Sequence, residues 1–272
     1  MPNQRAAPVR ITVLGKSPAW QDEGGACTGY LVEEGETTLL LDCGNGVFAK
    51  LRERVDYLDL DAAIVSHVHA DHWIDLVPYS YALAHSPRLD PDRADADIEA
   101  RPRPRPALHC PPGSIETFDR VTSAWGSPGL IESSFEAKEY SESGEVRVGP
   151  LAARFRLVPH YVETFAVSIS SDSGARFVFG ADCEPNDALV EHARDADLLI
   201  AEATLTHQDP DPDDRGHLTP FEAGELARRA GVERLALTHY VDEVDPEWIR
   251  AEAERGFGGP VTLAEAGEAF EL

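Results

Sequence analysis

The run Ser66-His67-Val68-His69-Ala70-Asp71-His72 limits this 272-residue chain more than any other feature. It follows directly on an apolar stretch at 61–65 that reads as a buried strand, so three imidazoles and a carboxylate fall in a turn at a strand's C-terminal end. Turns of that kind are where α/β proteins assemble their sites. Alternation sends the side chains at 67 and 69 to one side, and Asp71 and His72 can then turn towards a second ion. Neutral imidazole and carboxylate oxygen are donors that zinc, manganese and iron accept. With ten histidines in the whole chain, chance clustering explains this spacing poorly. Four further polar residues sit where apolar runs end: Asp42 after Leu40-Leu41, His160, Asp182 after 177–180, and His239 after 235–238.

The rest of the chain has to bring those strand ends together. Short runs rich in β-branched residues at 9–14, 30–32, 37–41 and 62–65 predict strands, with a turn at Glu34-Gly35 between the second and third. Helical spacing follows at 47–54 and 76–85. Residues 86–106 mix Pro, Asp and Arg without apolar periodicity and read as a surface loop or insertion. Strands are expected again at 107–110, 151–158, 165–170, 177–179, 198–201, 235–237 and 261–264, with helices at 188–193 and 246–255. Thr219-Pro220 with Glu222 has the form of a capped helix start, running to a stop at Gly231. No repeat or linker is visible, so a single domain over 1–272 is expected, two layered β-sheets with helices outside.

The balance of 24 basic and 49 acidic residues gives a net charge of −25, which opposes a long nucleic-acid backbone. Neither a signal-peptide pattern nor a membrane-length apolar stretch is present, so a soluble cytoplasmic protein with no membrane partner is expected. The cysteines at 27, 43, 110 and 183 form no CxxC pair and read as buried free thiols.

HxHxDH with the strand-end residues His160, Gly180-Ala181-Asp182 and Leu237-Thr238-His239 resembles the metallo-β-lactamase superfamily over nearly the whole chain. The resemblance implies an α/β, four-layer αβ/βα sandwich of two mixed sheets with outer helices and a pair of divalent ions, zinc favoured over manganese or iron. It assigns His67, His69 and His160 to one ion and Asp71, His72 and His239 to the other, with Asp182 bridging and Asp42 orienting a ligand imidazole. Two ions sharing a hydroxide are hydrolytic hardware. True β-lactamases of the superfamily usually carry cysteine in place of Asp182, so their activity is not favoured; the adjacent Cys183 should point away.

Glu202-Ala203-Thr204 and His217-Leu218-Thr219 resemble the ribonuclease Z branch, which implies that Asp71, Glu202 and His217 act in catalysis, His217 as acid and Glu202 as its orienting partner. That branch usually carries a long tRNA-gripping arm between the residues matching His160 and Asp182. Here only 21 residues intervene, and they read as two strands and a turn. The layout, including Thr28-Gly29-Tyr30-Leu31 and Asp42-Cys43-Gly44, is also similar to actinobacterial atypical cyclic-nucleotide phosphodiesterases. A small phosphodiester is therefore the expected substrate, RNA and a thioester of the glyoxalase II type the alternatives, and a homodimer the expected assembly. Trp20, Trp73 and Tyr161 flank the motifs and could stack on a base or pack beneath the site. His85, His109, His192 and His207 need no catalytic role, and the acidic loop at 207–216 reads as either a lid or a solvated turn.

Overall fold

The computed structural model describes residues 7–89, 102–206 and 215–272. Most of the predicted 86–106 loop and most of the possible lid, with His207, lie outside them. The first half of the chain runs β1 (Arg10–Gly15), β2 (Gly29–Glu34), β3 (Thr37–Leu41), α1 (Val47–Arg52), β4 (Ala62–Ile64), α2 (Leu76–His85), β5 (Ala107–Cys110), α3 (Ser114–Ser123), α4 (Leu130–Ser134) and β6 (Glu136–Glu139). The second half runs β7 (Glu145–Val148), β8 (Leu151–Val158), β9 (Thr164–Ser171), β10 (Arg176–Phe179), α5 (Asp187–His192), β11 (Leu198–Glu202), α6 (Pro220–Ala230), β12 (Arg234–Thr238), α7 (Pro246–Phe257), β13 (Val261–Leu263) and β14 (Ala269–Glu271).

Two seven-stranded sheets result, in the orders β14-β1-β2-β3-β4-β5-β6 and β13-β12-β11-β10-β9-β8-β7. Both are mixed: antiparallel from β14 to β3 and parallel from β3 to β6 in the first, parallel from β13 to β10 and antiparallel from β10 to β7 in the second. The period-2 alternation of buried strands divides each one between two cores. Leu39 and Leu41 face the other sheet, where Phe177, Phe179, Leu198 and Ile200 meet them. Leu40 turns outward to α1 and α2, while Val178, Leu199 and Leu235 turn outward to α5, α6 and α7. Three apolar cores between four layers make the αβ/βα sandwich that the sequence implied.

Strands β6, β7 and β14 carry little apolar signal and were not expected; each is an edge strand whose register comes from its neighbour. Helix α3 also escaped the reading, although Ile115, Phe118 and Thr122 have helical spacing and Phe118 and Thr122 are buried. Among the described residues no helix is long and apolar enough to cross a membrane. All four cysteines are free and buried.

Helix α6 starts as its sequence predicts. Thr219 and Glu222 close a reciprocal capping box, Pro220 occupies the first turn, and Gly231 ends the helix at φ 70°. Its contact with α7 depends on two glycines: a Cβ on Gly224 would lie 2.2 Å from the Ala253 carbonyl oxygen, and one on Gly256 would lie 2.2 Å from that of Phe221. Gly224→Ala must force the helices apart, and overpacking of this kind costs about 1–3 kcal/mol. A lowered urea midpoint with unchanged slope is the expected result, and an unchanged midpoint would show that the helices separate freely.

Candidate metal centre

Six strands, β3, β4, β8, β10, β11 and β12, end on the same edge of the sandwich, and each delivers a polar residue there. Three of the residues just beyond these ends have left-handed backbones without being glycine: Asp42 (φ 58°), Ala181 (φ 52°) and His239 (φ 55°). Such conformers cost on the order of 1–3 kcal/mol each and persist only where the surroundings hold them. Here the Asp42 N–H donates to the Ile64 carbonyl at 2.8 Å and the His239 N–H to that of Lys16 at 2.7 Å. The histidine-rich turn is clamped to the loop after β3, with the Cys43 N–H donating to the His72 carbonyl at 2.8 Å. Only glycine fits at 44, where a Cβ would come within 1.9 Å of the Asp71 carbonyl oxygen.

Among the described residues the converging side chains form three groups whose donor atoms lie within 4.8 Å of one another: His67, His69, His160 and Asp182; Asp71, His72, Asp182 and His239; and, overlapping the second at its edge, Glu202, His217 and His239. The first two carry the ligand chemistry expected for a pair of ions. Asp182 belongs to both. Its Oδ2 lies 3.8 Å from His67 Nε2, 3.3 Å from His72 Nε2 and 3.2 Å from His239 Nε2. Asp71 Oδ2 lies 3.2 Å from His239 Nε2 and 3.5 Å from His72 Nε2. All seven residues expected at the metals are thus brought together.

This donor set fits a pair of divalent cations. Among the described residues the fully buried Nε2 atoms of His67 and His72 have no hydrogen-bond partner, a condition that costs about 1–3 kcal/mol per atom unless something else occupies the lone pair. His160 Nε2 and His69 Nδ1 face each other at 3.0 Å. Burial holds the imidazoles of His67, His69 and His160 below their ordinary pKa, in the neutral form a cation needs. Burial works against ionisation of Asp71 and Asp182 as well, yet the facing imidazoles hold both carboxyls well below the carboxylate range.

The imidazole nitrogens turned away from the groups are tied down. His72 Nδ1 donates to Asp42 Oδ2 at 2.7 Å, and Asp42 also accepts from the Ser66 N–H and hydroxyl, each at 2.7 Å. Burial alone would depress His72, but the Asp182 and Asp42 carboxylates carry its pKa well up. His160 Nδ1 donates to the Gly216 carbonyl at 2.7 Å.

The second expected constellation also closes. His217 Nδ1 donates to Glu202 Oε1 at 2.8 Å, and the His217 ring stands 4.9 Å from that of His160 and 5.7 Å from that of His239. Burial opposes the charged ring of His217, but the bond to Glu202 and its charge raise the pKa. Thr204 escaped the sequence reading as a working residue. Its hydroxyl donates to Glu202 Oε2 at 2.6 Å and accepts from His239 Nδ1 at 2.8 Å, so one carboxylate steadies both His217 and His239. The signal was present in its position: two residues beyond a strand-end glutamate lies the same face.

The other flanking residues separate. Trp73 is buried, its ring lies tilted against that of Phe118 at 4.5 Å, and its indole N–H donates to the Val68 carbonyl, so it packs beneath the turn. Trp20 and Tyr161 are exposed, and the Tyr161 ring lies 5.0 Å from His160. Cys183 turns away into the core under α5, and neither His85, His109 nor His192 joins a group.

Asp42→Asn removes the charge and one acceptor oxygen of the partner that His72 and Ser66 share, and Thr204→Val removes the hydroxyl that accepts from His239, each with little change of side-chain volume. Each is expected to weaken retention of one divalent ion by about 10–100-fold, and competition with a chromophoric chelator measures it. Retention equal to that of the unmodified chain in both variants would show that these partners do not orient the ligands.

The β-lactamase superfamily domain matches residues 37–240. The Mycobacterium tuberculosis protein Rv1339 is 33% identical over 97% of this chain and 92% of its own length. The probable metallo-hydrolase YhfI of Bacillus subtilis is 30% identical over 97% of this chain and all of its own. The YhfI crystal structure superposes with a TM-score of 0.81 at 28% identity, covering 97% of this chain and 99% of that one. Ribonuclease Z of Halorubrum lacusprofundi is 27% identical over 97% of both chains. With fold, site geometry and three-quarters of the length in agreement, the chain belongs to the metallo-β-lactamase superfamily of hydrolases.

Proposed function

We propose that this chain is a dinuclear metal-dependent phosphodiesterase acting on small phosphodiesters, cyclic nucleotides among them. The observation that carries this reading is the His217–Glu202 pair, bonded at 2.8 Å with its imidazole beside both donor groups. A thiolate, with a thiol pKa near 8.5, leaves a thioester without help, whereas an alkoxide leaving a phosphodiester is far more basic and gains from a positioned acid. His217 Nε2 is free to give that proton because Nδ1 is committed to Glu202. Asp71 would accept a proton from the attacking water, a reading supported by its being the more solvent-open of the two carboxylates. His67, His69 and His160 would hold one ion, Asp71, His72 and His239 the other, and Asp182 both. The chemistry such a pair would supply when bound is polarisation of a phosphoryl oxygen and acidification of water.

The ribonuclease Z relatives support phosphodiester chemistry, but two features turn this chain from long RNA. Residues 161–181 are filled by the β9–β10 hairpin, which leaves no room for an arm, and the charge of −25 repels a polyanion. Metal-loaded protein is expected to hydrolyse cyclic AMP and bis(p-nitrophenyl) phosphate, and to bind a tRNA precursor weakly even at low salt. His217→Ala should lower phosphodiester turnover by about 10²–10⁴-fold while metal content stays at two ions per chain. Unchanged turnover, or hydrolysis confined to a thioester, would overturn the proposal.

A further inference from the structure

We infer that the Arg215–Glu222 ion pair is a positioning device for His160 and His217, holding one ring of the first donor group and the proposed acid through a single strap; the inference rests on the metal-centred reading above. Arg215 is only 6% exposed, and its Nη2 lies 2.6 Å from Glu222 Oε1. The other oxygen of Glu222 accepts from the Thr219 N–H at 3.0 Å and the Thr219 hydroxyl at 2.8 Å. One carboxylate thereby ties residue 215 to the N-cap of α6.

Along the strap, the Gly216 carbonyl and the His217 ring reach the site, while the Arg215 and Leu218 carbonyls pin the chain on either side of them. The Arg215 carbonyl accepts from the Tyr161 hydroxyl at 2.5 Å, and the Gly216 carbonyl accepts from His160 Nδ1 at 2.7 Å. His217 bonds Glu202 at 2.8 Å, and the Leu218 carbonyl accepts from the Leu205 N–H at 2.9 Å. Gly216 has φ +59°, and a Cβ there would come within 2.7 Å of the Tyr161 ring, so the strap lies hard against the residue following His160. The Gly216 carbonyl dictates which nitrogen of His160 carries the proton and aims Nε2 at its group. A shift of an ångström would lose that bond and displace His217 with it.

A buried ion pair contributes little net stability against its desolvation, so stability alone is a weak reason for placing this one here. Removing Arg215 takes its guanidinium away from the buried Glu222 carboxylate and cuts the tie between residue 215 and α6, so the strap is expected to move.

The test compares metal-loaded Arg215→Ala, Arg215→Lys, Glu222→Gln and His160→Ala with Arg88→Ala, which breaks the Arg88–Asp56 pair far from the site. Metal per chain after dialysis against a weak chelator, kcat and KM on bis(p-nitrophenyl) phosphate, and melting temperature are measured for each. Arg215→Ala is expected to hold one ion about 10–100-fold more weakly, as His160→Ala does, and to lose kcat with KM little changed. Arg215→Lys should recover much of both losses, and Arg88→Ala should lose neither. Should Arg215→Ala fail to fold, Glu222→Gln, which keeps an oxygen for the cap, carries the same expectation. Two retained ions and full kcat in both Arg215→Ala and Glu222→Gln, with His160→Ala losing an ion, overturn the strap alone. Two ions retained by His160→Ala itself overturn the metal assignment and the strap with it.

Discussion

Five imidazoles and the Asp71 carboxylate crowd around Asp182 at the edge of two sheets, most of them out of reach of water. Desolvation sets the terms for everything around them. A buried carboxylate or imidazole is tolerated only when its hydrogen-bonding atoms are satisfied, and here the satisfaction is divided by direction. The atoms turned away from the centre are bonded to Asp42, Thr204 and the Gly216 carbonyl, while the Nε2 atoms of His67 and His72 have no hydrogen-bond partner among the described residues. That division fits a pair of cations better than it fits a polar core, since a core has no reason to leave donors aimed at one another.

The supports also link the two chemistries of the site. Glu202 receives His217 on one oxygen and, through the Thr204 hydroxyl, His239 on the other. Asp42 fixes His72 and, through the Ser66 hydroxyl, reaches His67, whose Nδ1 lies 3.1 Å from that oxygen. Each carboxylate thus steadies two imidazoles, one directly and one through a neighbouring hydroxyl. The left-handed backbones at Asp42, Ala181 and His239 are the local cost of turning strand ends inward. The close approaches at Gly44 and Gly216 show how little slack remains around them.

The sheets and outer helices were legible wherever burial imposed a period. The strands 37–41, 177–179, 198–201 and 235–237 were readable because both their faces are buried. The start of α6 was readable because its cap is a local exchange between Thr219 and Glu222. The edge strands β6, β7 and β14 were not, since strands of three or four residues with one or two apolar side chains show too short a period to read and take their register from a neighbour. The site followed the same division. HxHxDH and the strand-end residues were visible because ligand chemistry demands particular side chains, and Glu202 with His217 because their motifs resembled a known branch.

By itself, then, the sequence determined the alternation that builds a layered sandwich and the identity of the residues that meet at its edge, since periodicity and ligand type are written residue by residue. What only the tertiary structure decided is the pairing: that Asp182 is shared between two donor groups, that Thr204 joins Glu202 to His239, and that Arg215, reaching seven residues on to Glu222, steadies a carbonyl holding His160. The physical reason is that hydrogen bonds of 2.6 to 2.8 Å between residues as far apart as 56 positions depend on where six strand ends come to rest, which no local preference encodes.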